Sequence, residues 1–342
     1  VSERVLVTGG TGYIAGWCLA ELARRGYQVR ATVRSADARQ RVLDAARSEV
    51  ADVDAIEVAS TDLASDDGWD DAMRGVDHVL HVASPIGARL PGDADAAVDI
   101  ARNGTLRVLR AATRAGVQRV VMTSAANAAS PSSYAEEGVT DEALWTDPND
   151  PTLIPYRRSK TVAELAAWDH VATTADAPEL VTVLPGAVLG PIMTTANIGS
   201  VGVIARMLAG KMPGVPRIGL EVVDVRDLAD AHLRALTVPE AAGERFLATG
   251  EFVWMRDIAR TLRAELGDAA SRVRTRQLPD LAVRLAARFG DEGLRSITPS
   301  LGRRNRHTTA KAQSVLGWQP RPAAETVVAC AQSLLAHGIG TP

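Results

Sequence analysis

Tyr156 and Lys160 stand four residues apart in the segment Tyr156-Arg157-Arg158-Ser159-Lys160. On a helix, that spacing puts a phenol and an ammonium on one face. A nearby cation favours the phenolate, so the pair is expected to hold the phenol below its usual value of about 10. A tyrosine tuned in this way can hand a proton to a carbonyl oxygen as hydride arrives, or take one back in oxidation. A second constellation lies near the start of the chain. Arg4-Val5-Leu6-Val7-Thr8 reads as a buried strand and runs into Gly9-Gly10-Thr11-Gly12-Tyr13-Ile14-Ala15, then a helix. The spacing is G-x-x-G-x-x-G with Ala15 in the third place. Gly9 would permit the tight turn and Gly12 the approach of backbone to a pyrophosphate. Ala15 is small enough for helix and strand to pack closely. The pyrophosphate would sit on the helix N-terminus, where unpaired N–H groups and the positive dipole end favour an anion.

The end of the second strand bears on which dinucleotide is bound. An NAD site usually has an acid there to bond the ribose hydroxyls. Here Arg30-Ala31-Thr32-Val33-Arg34-Ser35 holds no acid and two arginines. Arg34 follows Gly12 at about the separation of the ribose-reading position. A guanidinium fork suits a 2′-phosphate, and Arg41 follows a turn or two later. NADP(H) is therefore the expected cofactor.

These groups need a scaffold. The first half of the chain alternates short β-branched runs with helical periodicity. Strands are expected at Arg4–Thr8, Gln28–Arg34, Asp54–Val58, Asp77–Val82, Arg119–Thr123 and Leu180–Leu184. Helices are expected at Tyr13–Arg25, Ala38–Ser48, Gly68–Arg74, Ala94–Ala115 and Thr152–Thr174. Such alternation means crossovers, hence an α/β, Rossmann-type, doubly wound parallel sheet with helices on both faces. After Pro185, Gly and Pro punctuate a loop-rich stretch. Glu221–Val225 reads as a strand, and Arg226–Leu236, Arg256–Leu266 and Ala323–Ala336 as helices. The dinucleotide domain is expected to span 1–185, with 221–236 returning to it. Residues 186–220 and 237–342 would form a smaller substrate lobe.

Composition excludes other classes. Apolar residues make up 46% and charged residues 23%, with a net charge of -3. That balance disfavours nucleic acid as a partner, and no run is long and apolar enough for a membrane span. Two cysteines, Cys18 and Cys330, exclude a disulfide framework, and a cytoplasmic location is expected. The six histidines show no metal-ligand spacing, and no G-x-S-x-G elbow occurs. Arg303-Arg304-Asn305-Arg306 reads as a solvated loop.

The chain resembles an extended short-chain dehydrogenase/reductase. It is most similar to the dihydroflavonol reductase, cinnamoyl-CoA reductase and NADPH-dependent aldehyde/ketone reductase group. The matching stretches include VTGGTGYIAGWCLAELARRGYQVRATVRS, HVASP at 81–85, NGTLRVLRAA at 103–112, YRRSKTVAE at 156–164, VTVLPGAVLGP at 181–191 and VDVRDLADAH at 223–232. Together they cover most of the chain. The resemblance implies that Thr8, Gly9, Gly12, Tyr13 and Ile14 hold the pyrophosphate, and that Arg34 and Arg41 face the 2′-phosphate. Asp62 would take the adenine amino group with Leu63 beside it. Val82, Ala83 and Ser84 would lie along the nicotinamide ribose, and Pro185, Gly186, Ala187 and Val188 would back the carboxamide. Lys160 would also bond the ribose, and Ser200 matches a position near the phosphates. Asn103 either orients a water behind Lys160 or serves as a capping or packing residue.

One departure from the pattern stands out. The family usually has two serines after the fifth strand, the second bonding the substrate carbonyl. Here the run is Thr123-Ser124-Ala125-Ala126-Asn127, with Ala125 in the catalytic place. Either Ser124 or Asn127 supplies the missing donor, or position 125 is a deliberate replacement. The resemblance implies NADPH-dependent reduction of a ketone or aldehyde by a monomer or homodimer. Its rivals are a nucleotide-sugar epimerase or dehydratase, a hydroxysteroid-type dehydrogenase, and a weakened dinucleotide-binding sensor. The small-molecule carbonyl or alcohol substrate is expected to lie against residues 86–95, 127–155 and 190–220.

Overall fold

The computed structural model describes residues 2–85, 94–131, 137–196, 198–289 and 292–340. The first half contains β1 (Arg4–Val7), α1 (Tyr13–Arg24), β2 (Gln28–Val33), α2 (Ala38–Ala46), β3 (Glu57–Ser60), α3 (Trp69–Met73) and β4 (His78–His81). It continues through α4 (Ala94–Ala115), β5 (Arg119–Thr123), β6 (Gly138–Thr140), α5 (Pro155–Thr173) and β7 (Glu179–Pro185). Then come β8 (Ala187–Leu189), α6 (Gly202–Leu208), β9 (Gly219–Asp224), α7 (Val225–Thr237), β10 (Arg245–Ala248) and β11 (Glu251–Trp254). The last elements are α8 (Met255–Leu266), α9 (Asp280–Arg288), α10 (Glu292–Ile297), β12 (Asn305–His307), α11 (Ala310–Leu316) and α12 (Ala323–Ala336).

Seven strands form one parallel sheet in the order β10-β7-β5-β4-β1-β2-β3. β4 and β5 are buried along their whole length, as suits strands covered on both faces. One apolar core joins the sheet to α1, α2 and α7; another joins its opposite face to α3, α4 and α5. Chain order reverses between β1 and β4. That crevice, outside the carboxyl ends of the strands, is where doubly wound sheets bind ligands. α1 ends at Arg24, and Gly26 follows at φ 81°, a left-handed turn that glycine adopts without strain.

The structure corrects several expectations. The main sheet takes its seventh strand from Arg245–Ala248, outside the 221–236 stretch expected to return. Only α7 of that stretch packs back, against α1. β9 instead joins β8 and β11 in a separate three-stranded sheet. β10 reads Arg-Phe-Leu-Ala, without a β-branched residue, so it carries little strand pattern of its own. The third strand lies at Glu57–Ser60, because Val53–Ala55 winds into a 3-10 turn. Arg303, Arg304 and Arg306 are exposed, as a solvated run would be, but the run is not all loop: Asn305–His307 forms β12 and pairs in parallel with β6. Cys18 and Cys330 are both free and buried, and burial pushes each thiol up to about 12.

Candidate active site

Gly9 sits at φ 74°, where a Cβ would come 3.0 Å from the Cβ of Ala83. The turn after β1 therefore requires glycine for two independent reasons. Gly12 N donates to Gly9 O at 2.8 Å and caps α1, leaving the first-turn N–H groups of Tyr13 and Ile14 without helical partners. The Tyr13 side chain turns away from this surface. Its hydroxyl is buried with no hydrogen-bond partner among the described residues, and desolvation raises its pKa well above the usual value. Only its backbone is available to an anion. Ala15 is fully buried, consistent with close packing in the third place.

Thr8 is fully buried and acts as a stitch. Its Oγ1 accepts from Val82 N at 3.1 Å and Ala83 N at 3.0 Å, joining the ends of β1 and β4. With both lone pairs engaged, its proton goes to His81 Nδ1 at 2.9 Å. His81 is thus the Nε2–H tautomer, facing Thr105 Oγ1 at 3.4 Å. Burial, and then the charge of Lys160, push its pKa down to about 3, so it is neutral. Arg34 lies at the end of β2, exposed, and its guanidinium has no partner among the described residues. Arg41 is exposed and 3.6 Å from Asp37. Asp62 follows β3 and accepts from Ala64 N at 2.9 Å. Leu63 packs so close to α4 that a Cβ on Gly104 would meet it at 2.8 Å.

Pro155 opens α5 in the first-turn position that proline favours, so Tyr156 is held in the first turn. Tyr156 is 38% exposed and faces a cavity, with Lys160 buried one turn below. Lys160 Nζ donates to Thr123 O at 3.1 Å. Desolvation lowers its pKa to about 8, against the opposing pull of Glu164. The phenol differs from expectation: its pKa is raised, not lowered, and desolvation is the cause. The lysine's ammonium is directed at the Thr123 carbonyl, and burial alone accounts for the phenol's shift.

Ala125, not Ser124, lines the cavity. Ser124 Oγ donates instead to Glu164 Oε2 at 2.5 Å. Asn127 lines the cavity on the next 3-10 turn, Ala126–Ala129. Asn103 lies on the outer face of α4. Its side chain is exposed, accepts from Arg102 and makes no hydrogen bond to Lys160.

The cavity measures about 670 Å³. Pro185, Gly186, Ala187 and Ser200 line it; Val188 is buried behind them. Gly186 lies so close to β9 that a Cβ would be 2.4 Å from Glu221 O. Thr152, Ile154, Ile218, Gly219 and Leu220 belong to the expected loops, whereas 86–93 and 132–136 lie outside the described residues. The residues of the opposite wall were not singled out, although all but Glu221 fall in the 237–342 stretch expected to form the substrate lobe. That wall consists of Glu221, Phe252, Ile297, Pro299, Ser300, Arg303, Asn305 and His307. The alternation Arg303-x-Asn305-x-His307, which puts three polar side chains on one face of an extended segment, was its one legible signal. Among the described residues no cluster could hold a metal ion, and no helix is long and apolar enough to cross a membrane.

Comparison with known proteins adds to this geometry. The profile of the NAD dependent epimerase/dehydratase family matches residues 5–248. Ketoreductase azaE of Aspergillus niger is 34% identical over 303 residues, covering 82% of this chain and 87% of its own. Cinnamoyl-CoA reductase 1 of Petunia hybrida is 34% identical over 265 residues, covering 75% of this chain and 76% of its own. Among solved structures, yeast methylglyoxal/isovaleraldehyde reductase Gre2, complexed with NADPH, superposes with a TM-score of 0.80. It is 23% identical, covers 98% of this chain and 99% of its own, and shares the fold.

Proposed function

The chain belongs to the NAD dependent epimerase/dehydratase family, and on that premise we propose that it reduces a ketone or aldehyde to an alcohol, reversibly, using NADP(H). The observation that carries this reading is Tyr156 facing the cavity with Lys160 buried one turn beneath it. The names of the relatives, a ketoreductase and a cinnamoyl-CoA reductase, support the reaction class.

The residues present fit a dinucleotide phosphate. The turn at Gly9 and Gly12 has no room for side chains beyond its backbone, and it opens on the N-terminus of a 12-residue helix. Arg34 has a guanidinium free to meet a 2′-phosphate, and Arg41 lies in the helix that follows. Asp62, Leu63, Val82, Ala83 and Ser84 follow the ends of β3 and β4, beside the crevice. When bound, the nicotinamide supplies the hydride.

Tyr156 gives its proton to the carbonyl oxygen as charge builds there. The phenol is protonated at neutral pH, as donation requires, although burial, by raising its pKa, makes it a weaker acid. Lys160, fixed by the Thr123 carbonyl, offers an ammonium to the ribose side and to the phenolate left behind. Pro185 and Gly186 close the same wall. Ala125 cannot donate, so the developing oxyanion receives one hydrogen bond fewer than the family pattern provides.

The test follows NADPH absorbance across a panel of ketones and aldehydes. Oxidation of NADPH with formation of the alcohol is expected. No turnover on any carbonyl, together with tightly retained NAD(H), would favour the epimerase or dehydratase alternative instead. A second reading, a dinucleotide-binding sensor, draws support from one observation, the alanine at 125 with Ser124 turned to Glu164.

A further inference from the structure

The cavity wall from the C-terminal lobe is chemically two-sided. Ile154, Ile218, Leu220, Phe252, Ile297 and Pro299 make an apolar surface. Against it stand Arg303, Asn305 and His307, brought to one face by the period-2 geometry of an extended segment. β12 is held in this place by pairing with β6 and by two bonds from His307 to Glu221. The His307 backbone N donates to Oε1 at 2.7 Å, and Nδ1 faces Oε2 at 2.5 Å. Ser130 Oγ lies 2.9 Å from the other ring nitrogen.

These bonds occupy the acid on this wall. Glu221 is the only carboxylate that lines the cavity among the described residues, and both its oxygens are engaged by His307. Among the same residues, Arg303 has no hydrogen bond or ion pair to its guanidinium, and the Asn305 amide has no side-chain partner. An unpaired guanidinium and an unpaired carboxamide thus share a wall with no free acid to satisfy them. A fork of N–H donors with a second amide beside it matches a carboxylate, which takes two parallel hydrogen bonds.

Building on the carbonyl-reductase reading, we propose that the substrate is a carbonyl compound with an apolar body and a carboxylate, and that Arg303, with Asn305, recognises the carboxylate. Arg303 is the specificity-determining residue and takes no part in proton or hydride movement. A charge-assisted bond of this kind discriminates by roughly 10- to 100-fold.

The experiment compares kcat/KM for 4-acetylbenzoate and its methyl ester, in the unmutated protein and in Arg303→Ala, Arg303→Lys and Arg303→Glu. The acid is expected to lead the ester by roughly 10-fold or more. That lead should disappear in Arg303→Ala, survive in part in Arg303→Lys and reverse in Arg303→Glu. NADPH binding serves as the check that each variant is folded. Equal use of acid and ester, or an acid preference that survives Arg303→Ala, overturns the proposal while leaving carbonyl reduction standing. Calorimetric titration of the NADPH-saturated protein with 4-ethylbenzoate and its methyl ester reads the same preference without turnover. Tighter binding of the carboxylate that Arg303→Ala abolishes supports the proposal; equal binding overturns it, whatever becomes of the reductase reading.

Discussion

The hydroxyl of Ser124 is bonded to the carboxylate of Glu164, 2.5 Å away, and the same carboxylate gathers Thr182 Oγ1 and Arg245 Nε, each at 2.8 Å. Arg245 in turn donates to the carbonyls of Glu142 and Leu144 and stacks over the Trp145 ring. The cluster ties β5, α5, β7 and β10 together beneath the cavity. The Ser124 hydroxyl is therefore committed to this cluster, whereas Ala125 lines the cavity.

Ala125→Ser should raise kcat. Removing one oxyanion donor from a dry site costs about 10²–10³-fold, so restoring one should recover part of that. Ser124→Ala should leave kcat nearly unchanged while lowering stability by about 1–3 kcal/mol, because a buried carboxylate is deprived of a donor. Steady-state kinetics and urea melts on both variants separate the two roles. A gain from neither serine at 125 nor a stability loss at 124 would refute this assignment.

Tyr156→Phe should retain NADPH binding and lose turnover by about 10²–10⁴-fold, the usual worth of general acid catalysis. Fluorescence titration with NADPH and single-turnover kinetics measure the two quantities separately. Near-normal reduction by the phenylalanine variant would remove Tyr156 from the mechanism.

Arg34→Ala should raise the KM for NADPH by roughly 10- to 100-fold and change that for NADH little, since the role proposed for the arginine is to meet the 2′-phosphate that NADH lacks. Equal use of NADH and NADPH by the unmutated protein would contradict the role given to Arg34.

Lys160→Met should abolish turnover yet stabilise the cofactor-free protein at pH 7. Burial lowers the lysine from 10.5 to about 8, a cost to the folded state of about 3 kcal/mol when the group is charged. Removing the bond to Thr123 O offsets about 1 kcal/mol of that gain. Because the pKa is depressed, the cost is full below pH 8 and fades as pH rises toward 10.5. Denaturant unfolding at about pH 7 and about pH 9.5 should show the gain from Lys160→Met shrinking at the higher pH; a gain independent of pH would argue against a charge effect.

Acid should destabilise the fold through two buried histidines. His81 is held down to about 3 and His232 to about 4, each mainly by burial. The unfolded chain takes up both protons near pH 6.5, whereas the folded chain does not. Stability therefore falls as pH drops below about 6.5, by about 2 kcal/mol per histidine at about pH 5. A His81→Asn, His232→Asn double variant should show a flatter stability curve across that interval. An unchanged slope would mean other groups carry the acid response.

Much of this was readable from residue patterns. Ala94–Ala115 and Ala323–Ala336 fall on their expected bounds, because long helices repeat their period often enough to mark both ends. The loop from Gly9 to Ala15 was legible because turn geometry and close packing dictate residue type locally. β10 and β12 were not: Arg-Phe-Leu-Ala and Asn-Arg-His hold no β-branched residue, and their neighbours lie far along the chain. The phenol's raised pKa was hidden too, since four-residue spacing shows which groups share a face but not how dry that face is. The cavity wall from Glu221 to His307 depends on strand pairings that the alternation at Arg303, Asn305 and His307 does not by itself announce.

The β6–β12 ribbon has a consequence for the order of assembly. Beside it, Arg304 N bonds Glu137 across 167 residues of chain, whereas Arg4 on β1 reaches Gln28 on β2 across 24. Non-local closures of this kind are late events in folding, because their loop entropy must be given up before the pairing forms. At a synthesis rate of about 5–20 residues per second, the strand at 305–307 emerges roughly 10–30 s after its partner. A growing chain thus presents the turn at Gly9 and the guanidinium of Arg34 well before the wall that carries Arg303 exists. Nucleotide can stabilise the nascent first half by mass action, and the selectivity of the cavity is written in last.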